Sequence, residues 1–506
     1  MQTTKWLAGL TMAAGLAIAP AQAQKSADTL RFVNYTQIPD FTPYYNQIRD
    51  GIVIGLHAWD GLTYRDPETF KPMPLLATAW RSVDDTTIEF DLRKGVKFHD
   101  GSPFTADVVV FTYTTITHEK QITTPSNYAW LAGVDKVDDY KVRVKLKQVF
   151  PAAIEYITMV LPIIPKAYYE KVGGAEGYSK APIGAGPYRI TRVVVPSEVD
   201  FERFDGYYDG SPKGKPAIGK MVFHEVTDQS TALAELLGGR SDWTWNFNAD
   251  NFDNVGKMPN LTAVRGAAMR VNFLQFDAAG RTGKDNPLTK EKVRQAIAYA
   301  INRKEMASKL MQGDSRQINT PCFPTQFGCD EDAAVKYDYN PEKAKQLLAE
   351  AGYPNGFDTE LVTFMPQQYP ASVQAYLRAV GINAKVSALQ VQAVIQRSMD
   401  GNTPMQFTNW GSYSINDASA FMPFFFTGSN QDYTRDPEVK KLIEQGGSVT
   451  DPEARRVAYD EAIKIITQKA YILPMFNSVV TYGMSKQLIF KPWPDELPRF
   501  YLSSWK

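Results

Sequence analysis

Reactive side chains are sparse in this 506-residue chain, and none has the spacing of a catalytic or metal-binding motif. The sequence contains no serine-hydrolase elbow, no zinc-protease helix motif and no phosphate-binding loop. Its four histidines, His57, His99, His118 and His224, are scattered, and His118 and His224 lack the second histidine that a helical zinc site needs. The Gly-Ala-Gly stretch at 184–186 precedes a proline instead of a helix, which argues against a dinucleotide loop. We therefore expect no enzyme activity, no metal site and no cofactor.

Aromatic and amide residues are concentrated in three stretches near predicted strand ends. These are SNYAW at 126–130, WTWNFN at 243–248 and TNWGSYS at 408–414. Aromatic faces give a large contact area at low entropic cost, and neighbouring amides and hydroxyls orient a bound ligand. Packing in a core or a domain interface would also account for such residues. For Trp243 and Trp245 the sequence favours neither alternative.

The chain has two cysteines, Cys322 and Cys329, at the ends of the segment CFPTQFGC. Gly328 lets this segment bend back on itself. In an oxidising compartment such spacing favours a short-range disulfide. A metal site is the alternative, but no histidine lies nearby and the Cys-x-x-Cys spacing is absent. We predict a Cys322–Cys329 disulfide.

The first 23 residues have the pattern of a secretory signal peptide. Lys5 supplies the positive charge, residues 6–18 form the apolar core, and Ala-Gln-Ala at 21–23 is a cleavage site. The apolar run is shorter than the roughly 20 residues that a membrane span needs, and no cysteine at the cleavage point offers a lipid anchor. We expect the mature chain to begin at Gln24 and to lie free in the periplasm.

Composition predicts a large, charge-balanced protein of two to four domains. The chain has 55 basic and 55 acidic residues, 44% hydrophobic residues and 12% aromatic residues. Removal of Lys5 with the signal peptide changes the net charge only from zero to −1. No basic cluster indicates a nucleic acid or an acidic membrane as partner.

Hydrophobic periodicity predicts strands and helices along the whole chain. Residues 88–93 and 96–98 are predicted as two strands joined at Lys94 and Gly95, and the alternating segment 141–146 as a half-buried strand. Residues 290–311 are predicted as one long helix, and 359–388 follow the βαβ order of an α/β lobe. Further strands are predicted at 30–33, 189–193, 221–226, 269–276 and 406–410, and further helices at 230–237, 343–351 and 451–469.

Four motifs carry a resemblance to a known family. They are PLLATAWRSVDDTTIEFDLRKGVKFHDGSPFTADV at 74–108, PIGAGPYRI at 182–190, VRQAIAYAINRKEM at 293–306 and YNPEKAKQLLAEAGYPNGF at 339–357. In content and order they resemble the family 5 solute-binding proteins, the extracytoplasmic receptors of ABC importers for peptides, nickel and related solutes. The resemblance covers essentially the whole mature chain.

The resemblance implies an α/β fold of two lobes around a cleft, the Venus-flytrap fold of periplasmic binding proteins. Lobe one would comprise residues 24–268, with an extra β-rich subdomain at about 45–180. Lobe two would comprise residues 269–478, and residues 479–506 would return to lobe one. Two hinge crossings would lie near 265–270 and 477–482.

The resemblance also predicts where a ligand binds. Trp410 matches the tryptophan that peptide-binding relatives place at the ligand, and this match favours the cleft for Trp410. Relatives that bind a free α-amino group carry Asp three residues later, where this chain has Tyr413. A buried ammonium needs a carboxylate partner, so free-amino peptides are doubtful ligands unless Asp417 reaches them. The predicted ligand contacts are Tyr35, Tyr128, Trp130, Trp245, Asn409, Trp410, Tyr413 and Asp417.

These features predict a monomeric receptor that captures a small peptide-like or other polar solute and delivers it to the membrane permease subunits of an ABC importer. The alternative ligand is a non-peptide solute: an opine, an oligosaccharide, a glutathione-like conjugate, a metal chelate or haem. Scarce histidines disfavour nickel and haem. A secreted hydrolase and a chaperone-like binder are the less favoured alternatives from other functional classes.

Overall fold

A computed structural model describes residues 28–34, 38–46, 48–226, 228–247, 249–311, 313 and 315–506. The predicted signal peptide and Tyr35 lie outside the described residues. No helix in the described part of the chain combines the length and the apolar character of a membrane span.

Strands and helices occur along the whole described part of the chain. The strands are β1 (Thr29–Asn34), β2 (Thr63–Arg65), β3 (Pro72–Pro74), β4 (Ala77–Asp84), β5 (Thr87–Leu92), β6 (Leu131–Asp138), β7 (Lys141–Leu146), β8 (Tyr188–Val194), β9 (Glu198–Arg203), β10 (Lys220–Glu225), β11 (Trp243–Trp245), β12 (Leu261–Phe276), β13 (Phe357–Thr363), β14 (Ile382–Ala388), β15 (Met405–Trp410), β16 (Ile472–Ser485), β17 (Leu488–Ile489) and β18 (Ser504–Trp505). The helices are α1 (Arg49–Ala58), α2 (Ala106–Thr114), α3 (Ala153–Val160), α4 (Lys166–Lys171), α5 (Ala175–Lys180), α6 (Gln229–Leu237), α7 (Ala249–Lys257), α8 (Glu291–Ala300), α9 (Arg303–Met306), α10 (Pro341–Glu350), α11 (Gln368–Arg378), α12 (Val391–Met399), α13 (Met422–Phe426), α14 (Pro437–Ser448) and α15 (Pro452–Gln468).

A ten-stranded sheet runs through the molecule in the order β14-β13-β15-β12-β16-β11-β1-β10-β9-β8. Its two longest strands, β12 and β16, pair antiparallel along most of their length. Their register shifts between Ala267 and Val271, opposite Val479 and Asn477. On one side of this irregularity β16 pairs with β11, and on the other side β12 pairs with β15. One continuous pair of strands therefore joins the two halves of the sheet.

Buried apolar side chains form one core on the lobe-one side of that irregularity and two cores on the lobe-two side, and Ile415 and Ala420 from the chain after β15 belong to the first of these. The core of lobe one contains Leu30, Ile54 and Phe90, and Phe500 of the C-terminal segment joins it. Lobe two has two adjoining cores, one around Ile297, Leu361 and Phe407 and the other around Phe273, Phe421 and Ile463. Along β12, Ala268 packs in the core of lobe one and Val271 in a core of lobe two. This arrangement agrees with the predicted two-lobed α/β fold.

Lobe one carries an antiparallel sheet of four strands in the order β4-β5-β7-β6. The predicted alternation of β7 is confirmed, because Val142, Val144 and Leu146 are buried and the residues between them are exposed. The predicted pairing of 88–93 with 96–98 is wrong. Strand β5 pairs with β4 on one edge and β7 on the other, so both of its edges are occupied. Lys97 instead forms an isolated bridge with Pro103.

The single helix predicted at 290–311 is interrupted. Helix α8 ends at Ala300, Ile301 is extended, and Asn302 begins α9 by accepting a hydrogen bond from the Glu305 amide at 3.0 Å. The side-chain amide of Asn302 also donates to the Glu305 carboxylate at 3.2 Å. The local hydrogen bonds of this Asn-x-x-Glu sequence start a new helix in place of continuing the old one. The strand predicted at 269–276 begins earlier, at Leu261, and the other predicted strands and helices are present within a few residues of their predicted ends.

The predicted disulfide between Cys322 and Cys329 is present in the structure. Both cysteines are buried in the second core of lobe two. The loop between them contacts the chain after β15: the Gln326 side chain donates to the Ile415 carbonyl at 2.7 Å, and the Phe327 amide donates to the Asn416 carbonyl at 3.1 Å.

Candidate functional site

The largest described cavity, about 720 Å³, lies where the two lobes meet. Lobe one, including the C-terminal segment, contributes Arg49, Asp50, Gln229, Trp245, Asn246, Phe247 and Glu496; the paired strands β12 and β16 contribute Arg265, Arg270, Asn272 and residues 478–481; lobe two contributes Leu310, Met311, Phe364, Met365, Pro366, Gln368, Tyr369 and Asn409. Aromatic and apolar faces alternate with charged and amide groups around it. Such a lining can enclose a polar organic solute of modest size.

One end of the cavity is a corner of charged groups formed by Glu496, Arg49 and Arg270. The carboxylate of Glu496 accepts two hydrogen bonds from Arg270, at 3.0 and 2.8 Å, and forms an ion pair with Arg49 at 3.1 Å. Burial opposes ionisation of Glu496, but Arg270 and Arg49 outweigh it and lower the pKa of this carboxyl. Burial lowers the pKa of Arg49, and Glu496 offsets part of that effect. Glu496 is therefore ionised and is held by both arginines.

A smaller pocket of about 220 Å³ adjoins this charged corner and shares Arg49 and Arg270 with the large cavity. Its remaining lining residues are Ile48, Ile52, Trp410, Gly411, Ser412 and Tyr413. A Cβ at Gly411 would lie 3.0 Å from the Nη2 atoms of both arginines. The glycine thus lets the two guanidinium groups approach the backbone of this turn.

The structure brings together four of the predicted ligand contacts. Trp245 and Asn409 line the large cavity, and Trp410 and Tyr413 line the smaller pocket. The Asn409 side chain accepts a hydrogen bond from Arg270 at 2.9 Å, which orients its amide at the charged corner. Trp243, the neighbour that the sequence could not assign, is buried in lobe one against Trp245 and Phe500.

Trp410 is half-buried in an aromatic cluster of lobe two. It stacks on Phe424 at 4.8 Å with 15° between the ring planes, and its ring meets Phe425 and Tyr413 edge-on. Burial raises the pKa of Tyr413, which keeps its phenol neutral. Tyr413 therefore cannot supply the negative charge that a buried ammonium needs.

Asp417 does not reach the cavity. Both of its carboxylate oxygens accept from Arg455, at 3.0 and 2.9 Å, and both side chains are buried in lobe two. The Asp417 side chain also accepts from the Ser419 amide at 2.9 Å. These contacts stabilise the segment after the turn, so Asp417 is a structural residue at this position.

Tyr128 and Trp130 also lie away from the cavity. Both belong to the core of lobe one. The indole of Trp130 stacks on Phe150 at 5.3 Å and donates to the Asn127 carbonyl at 2.8 Å. The aromatic-amide composition of this stretch therefore reflects core packing.

Sequence patterns missed most of the charged corner. Arg49 begins α1, Arg270 lies at the irregularity of β12, and Glu496 lies in the C-terminal segment. Arg270 and Glu496 are 226 residues apart in the chain, and no local motif links them. The only available signal was the predicted hinge crossing near 265–270, which includes Arg270.

The model of the bacterial extracellular solute-binding proteins, family 5, matches residues 71–433 of this chain. The chain belongs to this family. Members of the family are the substrate-binding proteins of ABC importers.

Family 5 relatives match this protein over almost its whole length. The di/tripeptide-binding protein 1 of Pseudomonas aeruginosa is 27% identical over 96% of this chain and 96% of its own. The glutathione-binding protein GsiB of Salmonella choleraesuis is 27% identical over 96% of this chain and 95% of its own. The solved structure of HbpA2 from Haemophilus parasuis superimposes with a TM-score of 0.79 and 25% identity, over 94% of this chain and 100% of that one.

Proposed function

We propose that this family 5 protein is a periplasmic receptor that closes its two lobes around a small peptide-like or other polar solute. It then presents the solute to the permease subunits of an ABC importer, acting as a monomer and without chemical turnover. The observation that carries this proposal is the cavity of about 720 Å³ between the lobes, lined by aromatic, amide and charged side chains. Its volume lies within the range of small-molecule sites, about 300–1,000 Å³.

The same proposal includes the lobe boundaries that the resemblance predicts. Lobe one comprises residues 24–268 and 479–506, and lobe two comprises 269–478. The hinge lies where β12 and β16 change register, since Ala268 and Val271, on the two sides of that point, pack in different cores. Rotation about two adjacent strands opens and closes such a cleft.

Trp245, Asn409, Trp410 and Tyr413 are the proposed solute contacts. The aromatic rings supply apolar area, and Asn409, held by Arg270, supplies a fixed polar group. Glu496 and Asp417 are both held by arginines. This favours a solute that does not depend on either carboxylate to bind a cationic amino group, which keeps a non-peptide solute as the second candidate.

Native mass spectrometry of the protein purified from a periplasm tests the proposal. We expect one bound small molecule per chain, with an unchanged mass after prolonged incubation. A cleavage product of that molecule would show an enzyme instead of a receptor. A mixture of unrelated polypeptides would show a chaperone-like binder.

A further inference from the structure

The turn at 411–416, which follows β15 in lobe two, contacts lobe one through polar groups of Ser414 and Asn416, and its Ile415 side chain is buried in the core of lobe one. Arg65 of β2 donates to the Ser414 carbonyl, and Arg49 of α1 donates to the Ser414 hydroxyl. That hydroxyl in turn donates to the Asp495 carbonyl at 2.6 Å. The Asn416 amide donates to Glu155 of α3 at 3.4 Å. All of these contacts form between residues of the chain, so they require no bound solute.

The lobe-one side of this contact is a buried ion-pair cluster. Arg65 and Asp495 form an ion pair at 2.8 Å, with side chains 2% and 0% exposed. Asp495 also pairs with Arg499 at 2.7 Å, and Arg65 with Glu155 at 3.3 Å. The linked ion pairs restrain the positions of these groups, although the buried Nε atoms of Arg65 and Arg499 have no hydrogen-bond partner. Lobe one therefore presents a preformed receptor for the turn.

The lobe-two side is a backbone conformation that needs support. Ser412, Tyr413 and Ser414 have φ angles of 50°, 50° and 62°, in the left-handed region that residues with a Cβ adopt at a cost. Such strain persists only where neighbouring groups impose it, and it is concentrated at sites that switch or clamp. Gln326 and Phe327 of the disulfide loop supply this support through hydrogen bonds to Ile415 and Asn416.

We propose that the turn at 411–416 is a latch between the lobes that operates without solute, and that the Cys322–Cys329 loop keeps it in the conformation that lobe one recognises. Ser414 and Arg65 are then positioning residues for solute capture: they raise the closed share of the empty protein and slow the release of a captured solute. This inference rests on the proposed function only in assigning the closed form to capture. The latch itself is a property of the empty chain.

Distances between spin labels in the two lobes test the latch. Val83→Cys in β4 and Val457→Cys in α15 provide exposed labelling sites, since these valines are 47% and 56% exposed. The labelled protein is freed of solute by partial unfolding and dialysis, and its distance distribution is measured by electron paramagnetic resonance. Ser414→Ala removes the two hydroxyl contacts. Ser372→Ala is the matched control, because that hydroxyl bonds only to Gln368 of its own helix, at 2.9 Å.

We expect Ser414→Ala to reduce the ratio of closed to open molecules by roughly 5- to 30-fold, the effect of losing one or two kcal/mol of buried hydrogen bonding. Cys322→Ser combined with Cys329→Ser should shift the distribution in the same direction, and Ser372→Ala should leave it unchanged. Identical distributions for Ser414→Ala and Ser372→Ala would overturn the latch, whatever the double cysteine variant does. Since no solute enters this measurement, failure of the latch is distinguishable from the absence of a bound molecule in the mass spectrum.

Discussion

Two adjacent residues at the end of β15 line different parts of the cleft. Trp410 lies on the strand that brings Asn409 to the large cavity, yet its own ring faces the smaller pocket beside Arg49 and Arg270. The resemblance identified this turn, and Trp410, Tyr413, Asn409 and Trp245 all lie at the cleft. The resemblance could not identify Arg455 as the partner of Asp417, because Arg455 lies 38 residues away in α15. No local pattern indicated a role for Glu496 either, because Arg49 and Arg270, which pair with it, are distant in the sequence.

Replacing Trp410 with alanine should weaken solute binding by about 2–4 kcal/mol, the usual cost of truncating a central aromatic contact. Titration calorimetry with the solute found by mass spectrometry measures the change. Trp80→Ala is the control, because Trp80 stacks on Phe90 in the four-stranded sheet of lobe one, outside the cleft. Equal losses of solute affinity in Trp410→Ala and Trp80→Ala would show that Trp410 does not contact the solute.

Unmodified dipeptides should bind the wild-type protein poorly. Tyr413 is neutral, and Asp417 is neutralised by Arg455, so an ammonium placed at this turn would lose its hydration without gaining a carboxylate. Tyr413→Asp should create weak affinity for dipeptides in the same calorimetric panel. Micromolar or tighter binding of dipeptides to the wild type would show that another carboxylate of the cleft receives the amino group.

At the scale of elements, local patterns predicted strands and helices well where the local preference also decides the fold. The alternation of β7 and the positions of α10 and α15 are of this kind. Prediction failed where pairing with other strands competes with a local hairpin. Strand β5 pairs with β4 on one edge and with β7 on the other, so residues 96–98 cannot pair with it. The division of β12 and β16 between two lobes was implied by the resemblance alone, since no feature of either strand's sequence shows it.

His57 of α1, which contacts the C-terminal segment at Phe500, should make the stability of the protein depend on pH. The imidazole Nδ1 of His57 lies 2.7 Å from the Val53 carbonyl, and its Nε2 accepts from the Phe500 amide at 2.9 Å, so the ring is neutral. Burial lowers the pKa of His57 to about 3, whereas an unfolded histidine titrates near 6.5. Between these values the unfolded chain binds one proton more than the native one. The free energy of unfolding should therefore fall with decreasing pH, by up to about 1.4 kcal/mol per unit from this residue.

Urea unfolding between pH 7 and about pH 5 measures this slope. His57→Asn should flatten it relative to the wild type even though the variant is less stable at every pH. His118→Asn, at an exposed position, should leave it unchanged. The same slope in all three proteins would contradict the assignment to His57.

At the scale of the whole molecule, the proposed capture of a solute depends on the two lobes, the proposed hinge between them and the cavity where they meet. Each lobe has its own core, and the paired strands β12 and β16 join them. A solute that binds only when both lobes contact it shifts the population toward the closed form. If the 411–416 turn is a latch, the chain's own contacts act in the same direction, and we expect the empty protein to be a mixture of open and closed molecules.

Small-angle X-ray scattering with and without the solute tests capture by closure most directly. The radius of gyration should fall on saturation in the wild type, and more strongly in Ser414→Ala, whose empty form is more open. A bound solute that leaves the radius of gyration unchanged in both proteins would contradict closure of the lobes around it.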